Sequence, residues 1–140
     1  MQEIEVSNQV IQTSKAPAAI GPYSQAIVAP PGALVFTSGQ IAIDPETGAL
    51  ILDNVTTETR RVMDNLGAVL EAAQVGFENV VSTTIYLASM VDFQAVNEVY
   101  ASYFPEGAPK PARATVEVGR LPKDVRVEIS CVAVRPMTSG

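Results

Sequence analysis

The stretch VRVEISCVAV, residues 125–134, most constrains what this chain can fold into. Val125, Val127, Ile129, Cys131 and Ala133 alternate with Arg126, Glu128, Ser130, Val132 and Val134, the period of two that marks a strand. The first set is wholly apolar, and the second turns apolar toward its end. A strand that is apolar on both sides needs cover on both sides. The question is then how many covering elements the rest of the chain supplies.

It supplies two helices. The first is expected from about Thr56 to Val75, where Val62, Leu66, Val69, Leu70 and Ala73 fall on one face, with Thr56 as N-cap, Glu58 near the positive end and Gly76 as the stop. The second begins near Asp92, carries Phe93, Val96, Asn97, Tyr100 and Phe104 on one face, and ends at Pro105. Strands are expected at 8–13, at SQAIVA and ALVFTSGQIAI with a hairpin-like turn at Pro30-Pro31-Gly32, at 79–88, at 112–118 and at 124–134. The segment 16–25 is a loop, and DPETG, 44–48, a turn. Two amphipathic helices bury one face of one sheet, which gives a two-layer α+β domain over residues 1–140. The other sheet face is left for a second subunit.

Composition agrees and excludes several classes of function. The chain has 140 residues, enough for one domain with its own core. Charged residues make up 17%, against about 25% in ordinary domains, as expected if another copy covers part of the surface. With one cysteine, Cys131, and no histidine, an intrachain disulfide, a His-based triad and the usual zinc sites are excluded. A net charge of −6 without basic runs disfavours nucleic acid, where cationic contacts to phosphate dominate affinity. MQEIEVSNQV lacks the basic and apolar regions of a signal peptide, and no run reaches the roughly 18 apolar residues of a membrane span. A cytoplasmic protein is expected.

The residues with chemistry to offer are few. PARATVEV, 111–118, alternates Ala112, Ala114, Val116 and Val118 with Arg113, Thr115 and Glu117. An arginine in so apolar a setting is either a solvated or salt-bridged edge charge or a planar clamp for a carboxylate. Glu128, on a strand expected to pair with that of Arg113, is its structural partner or a group that positions water and moves protons. Ser38 and Gly39 in TSGQ offer a hydroxyl and backbone N–H groups to an anion. Tyr23, after Gly-Pro, could cover a ligand, and Asn97 is an amide on an apolar helix face that needs a partner.

In this order the segments are distinctive. APAAIGPYSQA (16–26), FTSGQIAIDPETG (36–48), DNLGAVLEAA (64–73), VVSTTIYLASMVDFQAVNEVYASYF (80–104) and PARATVEVGRLPKDVRVEI (111–129) together resemble the RidA family, also called YjgF or reactive-intermediate deaminase proteins. The resemblance covers nearly the whole chain. It implies a chorismate-mutase-like fold, a six-stranded mixed sheet with two helices on one face, and a homotrimer with ligand clefts between subunits. It also implies hydrolysis of enamines and imines such as 2-aminoacrylate and 2-iminobutanoate to 2-keto acids and ammonia, with no metal or cofactor. The family's carboxylate-binding arginine falls on Arg113 and its water-handling glutamate on Glu128. Tyr23, Ser38, Gly39 and Asn97 fall on its substrate-binding positions. Thr115 stands at the pocket position where many members have cysteine; that cysteine is not a required nucleophile, so hydrolysis is expected to survive, while thiol-based regulation and the exact pocket preference are not carried over. A carboxylate-binding regulatory protein, an endoribonuclease or translation inhibitor, and a deaminase for a larger substrate such as an aminomuconate are the alternatives. The acidic charge and the absent histidine weigh against the ribonuclease.

Overall fold

The computed structural model describes residues 7–137. The segment 1–6, most of the stretch read above for a signal peptide, lies outside the described residues. Six strands and two α-helices follow the expected order: β1 (Gln9–Ile11), β2 (Ala26–Val28), β3 (Gly32–Phe36), α1 (Val55–Ala72), β4 (Val80–Leu87), α2 (Phe93–Ser102), β5 (Ala112–Glu117) and β6 (Val127–Pro136). They form two sheets rather than one. β1 and β2 make a two-stranded antiparallel ribbon, and the main sheet has the order β3-β6-β4-β5. Both helices cover one face of it, with Val62, Met63, Leu66 and Leu70 of α1 and Val96 and Tyr100 of α2 buried against Ile85, Leu87, Val127, Ile129 and Ala133.

The expected hairpin at Pro30-Pro31-Gly32 does not form. β2 pairs with β1, and β3 pairs with β6. Two consecutive prolines lack the N–H groups a ladder needs, so the chain leaves one sheet and enters the other. Gly32 permits the entry, since a Cβ there would lie 2.2 Å from the Arg135 carbonyl oxygen.

The strands of Arg113 and Glu128 are not neighbours either. β4 lies between them, parallel to β5 and antiparallel to β6. The β4–α2–β5 crossover explains this, because a helical connection returns the chain parallel beside the strand it left. Arg113 pairs with Thr83, which pairs with Cys131, whereas Glu128 pairs with Tyr86. Thr83 is buried beneath the helices, and Tyr86, three residues on, points the other way. Arg113 therefore lies on the helix face and Glu128 on the open face. The apolar side of β5 is the exposed one: Val116 is 42% exposed, and Leu34 and Phe36 of β3, on the same open face, are 61% and 72% exposed.

Both ends of α1 differ from expectation. Asn54, not Thr56, is the N-cap, its Oδ1 accepting the Thr57 N–H at 2.8 Å. The helix stops before Gly76 because Gln74 takes a left-handed conformation, φ 64°, with the Val75 N–H turned back to the Leu70 carbonyl. Val69 is exposed, and Met63 is buried in its stead. Before α2 it is Ser89 that caps, accepting the Val91 N–H at the 3₁₀ turn Met90–Asp92; Asp92 makes no side-chain cap.

Candidate active site

Arg113 is held by α2 and by the loop before β2. Its Nη1 donates to Asn97 Oδ1 at 2.5 Å. Its guanidinium carbon lies 5.4 Å from the ring centre of Tyr23, 5.9 Å from Phe93 and 5.1 Å from Tyr100. Helical spacing explains the grouping: Phe93, Asn97 and Tyr100 are four and three residues apart and form one stripe facing β5. Tyr100 is fully buried beneath the cation, and its hydroxyl lies 2.8 Å from Thr83 Oγ1. Burial pushes its phenol up to about 12, so it stays neutral. Burial also lowers the pKa of Arg113, against the opposing pull of the Tyr100 and Tyr23 oxygens.

The two ion pairs among the described residues join Arg120 to Asp124 and Arg126 to Glu58; neither includes Arg113. Its salt bridge with Glu128, the structural alternative raised by the sequence, is absent. A half-buried cation that meets three aromatic faces and one neutral amide has lost water without gaining a counter-charge. Such a guanidinium is able to take up an anion. Thr115, two residues along the same strand face, keeps its hydroxyl oxygen buried without a hydrogen-bond partner.

Glu128, Ser38 and Gly39 form a separate group on the open face. Phe36 pairs with Val132 and Gln40 with Ile129, so Thr37, Ser38 and Gly39 stand opposite only Ser130 and Cys131. The extra residue makes a β-bulge, a device that re-aims backbone and side chains. Thr37 anchors it, its N–H donating to the Cys131 carbonyl at 3.0 Å and its Oγ1 accepting the Cys131 N–H at 2.9 Å. A Cβ on Gly39 would lie 2.5 Å from a Glu128 carboxylate oxygen, so only glycine allows the carboxylate to rest against this bulge. Ser38 and Gly39 are both exposed.

Glu128 itself is placed by a buried clamp. Glu58, wholly buried on α1, accepts the N–H groups of Arg126 and Val127 at 2.8 and 3.1 Å and the Arg126 Nε at 2.7 Å. Arg126 also donates to the Leu52 carbonyl at 2.7 Å. The residues just before Glu128 are thereby fixed to the helix layer. By sequence pattern Glu58 is only a favourable helix-end charge, and Phe93 and Tyr100 are only members of an apolar helix face. The stripe that placed Asn97 between them was the available signal for the two aromatics.

Fold and site define a small α+β domain with an unpaired cation suited to a carboxylate and a carboxylate on the opposite sheet face. The endoribonuclease L-PSP family model matches residues 13–135. Reactive Intermediate Deaminase A, chloroplastic, of Arabidopsis thaliana is 48% identical over 128 residues, 91% of this chain and 66% of that protein. The 2-iminobutanoate/2-iminopropanoate deaminase of Homo sapiens is 46% identical over 133 residues, 94% of each chain. The crystal structure of Escherichia coli TdcF with bound serine superposes with a TM-score of 0.70 at 41% identity, covering 91% of this chain and 98% of that one. The chain belongs to this family, that of the RidA/YjgF proteins.

Proposed function

We propose that this protein hydrolyses the enamines and imines of small 2-amino acids, 2-aminoacrylate and 2-iminobutanoate among them, to 2-keto acids and ammonia in the cytoplasm. The observation that carries the reading is the Arg113 guanidinium, half-buried among Tyr23, Phe93 and Tyr100 with no carboxylate partner. Arg113 holds the substrate carboxylate by its planar fork. The enamine takes a proton at its β-carbon and gives one up from its nitrogen, becoming the imine. A water held by Glu128 adds its oxygen to the imine carbon while the water's proton passes to the glutamate. The glutamate passes that proton to the nitrogen, giving the carbinolamine. As the C–N bond breaks, the hydroxyl proton passes through Glu128 to the departing nitrogen, so ammonia leaves and the hydroxyl oxygen becomes the ketone.

Arg113 and Glu128 occupy opposite sheet faces within one chain, so this mechanism needs two chains. A homotrimer supplies them, with Tyr23, Asn97, Arg113 and Thr115 of one subunit facing Ser38, Gly39 and Glu128 of the next. Leu34 and Phe36 on one edge strand and Val116 on the other are exposed on the open face, and apolar surface of this kind supports such an assembly.

The test is a coupled assay in which an amino-acid oxidase generates imines and semicarbazide traps what survives. Wild type is expected to suppress trapping. Arg113→Ala, and equally Arg113→Lys, is expected to lose at least about a hundredfold in kcat/KM, the scale of leaving a charged partner unpaired, while its oligomeric state stays intact. Full activity in either variant, or no suppression by wild type across several small imines, is incompatible with the reading.

A further inference from the structure

We propose that Gln25 is a positioning residue for the Arg113 anion site, acting as the staple of the arch that closes on the guanidinium. The inference rests on reading Arg113 as a carboxylate anchor. Residues 12–25 join β1 to β2, and each of these strands is only three residues long. A two-stranded ribbon that short is marginal by itself, and loops of this length are ordinarily mobile unless something holds them. The order of the arch must therefore come from contacts other than the ladder.

Gln25 provides them at the base. Its Oε1 accepts the Thr13 N–H at 2.7 Å, and its Nε2 lies 2.6 Å from the Pro17 carbonyl, 3.1 Å from that of Thr13 and 3.3 Å from that of Ala16. Ser24 ties the same segment to the lead-in of β5, its N–H donating to the Pro111 carbonyl and its Oγ to that of Lys110. Between these ties the arch folds on itself: the Tyr23 N–H donates to the Gly21 carbonyl, and the Tyr23 hydroxyl accepts the Ile20 N–H. Gly21 and Tyr23 are thus brought to the cation. A Cβ on Gly21 would lie 3.7 Å from Arg113 Nη2.

Packing alone does not hold Tyr23 there. A cavity of about 360 Å³, lined by Val10, Thr13, Ala18, Ala19, Tyr23 and Gln25 among others, lies within the arch, so the ring has space to withdraw. One amide satisfying donors and acceptors of three arch residues is what keeps the wall in place. Loss of that amide leaves Arg113, Asn97 and Glu128 untouched and disorders only the wall. Its effect belongs in ligand affinity, the quantity preorganisation governs.

The experiment measures pyruvate binding by calorimetry, and kcat and KM in the coupled assay, for wild type, Gln25→Ala and Gln25→Glu. The Glu variant keeps the size and the acceptor for Thr13 but has no donor for the carbonyls. Both variants are expected to bind pyruvate about tenfold more weakly and to raise KM in parallel, with kcat within about twofold and the thermal midpoint unchanged. Ser24→Ala, which keeps the backbone tie, is expected to show a smaller loss. Pyruvate affinity within twofold of wild type in either Gln25 variant, or a fall in kcat with KM unchanged, overturns the staple while leaving the Arg113 reading standing. Failure of wild type to bind pyruvate overturns the anchor itself, and the staple with it.

Discussion

The Arg113 side of the main sheet and the Glu128 side both place an ionised group on a strand, but the chain encloses them differently. Around Arg113 the same polypeptide supplies three aromatic rings, an amide and a stapled arch. Around Glu128 it supplies a bulge and a glycine, beside an open face bearing Leu34 and Phe36. One half is a pocket with a cation and no anion, and the other is a carboxylate with no pocket. Under the proposed mechanism, the contrast explains how a single chain carries both groups and still does not bring them together.

The sharpest way to break the comparison is to separate the halves genetically. Arg113→Ala and Glu128→Gln proteins, each expected to be inactive alone, are unfolded together and refolded. If each site takes its arginine from one subunit and its glutamate from another, about a quarter of sites in a random mixture regain both groups by closed-symmetry pairing. Recovery of activity near that level supports a shared site; none at all, with mixed assemblies present, means that both groups act within one chain.

A second test asks whether the Glu128 half is fixed from beneath. Glu58→Ala strips the acceptor from two backbone N–H groups and from Arg126. The Arg126 side chain is 36% exposed and can turn to water, so the cost is chiefly that of stranded N–H groups, about 1–3 kcal/mol, to be read as a lower urea midpoint. A change below 1 kcal/mol would mean that the start of β6 is held by its ladder alone.

Alkaline titration probes the buried floor shared by the two halves. Burial raises the Cys131 thiol from 9.0 to about 11, with the Thr37 hydroxyl opposing. Folding thus favours the protonated thiol. That contribution is fully present below pH 9 and is lost as pH rises through about 11. Unfolding free energy is expected to fall across this window, and Cys131→Ala to flatten the fall. An identical pH profile in the variant would assign the decline elsewhere.

The smallest expected effect is at Thr115. Its buried hydroxyl has no partner, so Thr115→Val removes an unpaired polar group at nearly constant shape and should stabilise the protein by about 1 kcal/mol. A lower thermal midpoint would show that the hydroxyl is satisfied in the assembled protein.

Much of the architecture was legible in the residues. The order of elements, the helix stripes and the loop at 16–25 follow from periodicity and from glycine and proline. The strand partners did not, because period-two patterning says which residues share a face but not which strand lies beside which. The alternation in PARATVEV marks one apolar face but not the side on which it lies. The structure turns it outward, since α2 offers aromatic rings and an amide to the Arg113 side and leaves Ala114 and Val116 exposed. The helix caps moved by a residue or two, decided by Asn54 and by the left-handed Gln74.

The sequence by itself determined the layer count, the family and the identity of the groups able to do chemistry, because these depend on composition, local period and motif order. Only the tertiary structure decided that Arg113 and Glu128 stand back to back across β4. That separation arises from the β4–α2–β5 crossover, which inserts β4 between their strands, and from a three-residue offset along it, from Thr83 to Tyr86, that turns the two side chains to opposite faces.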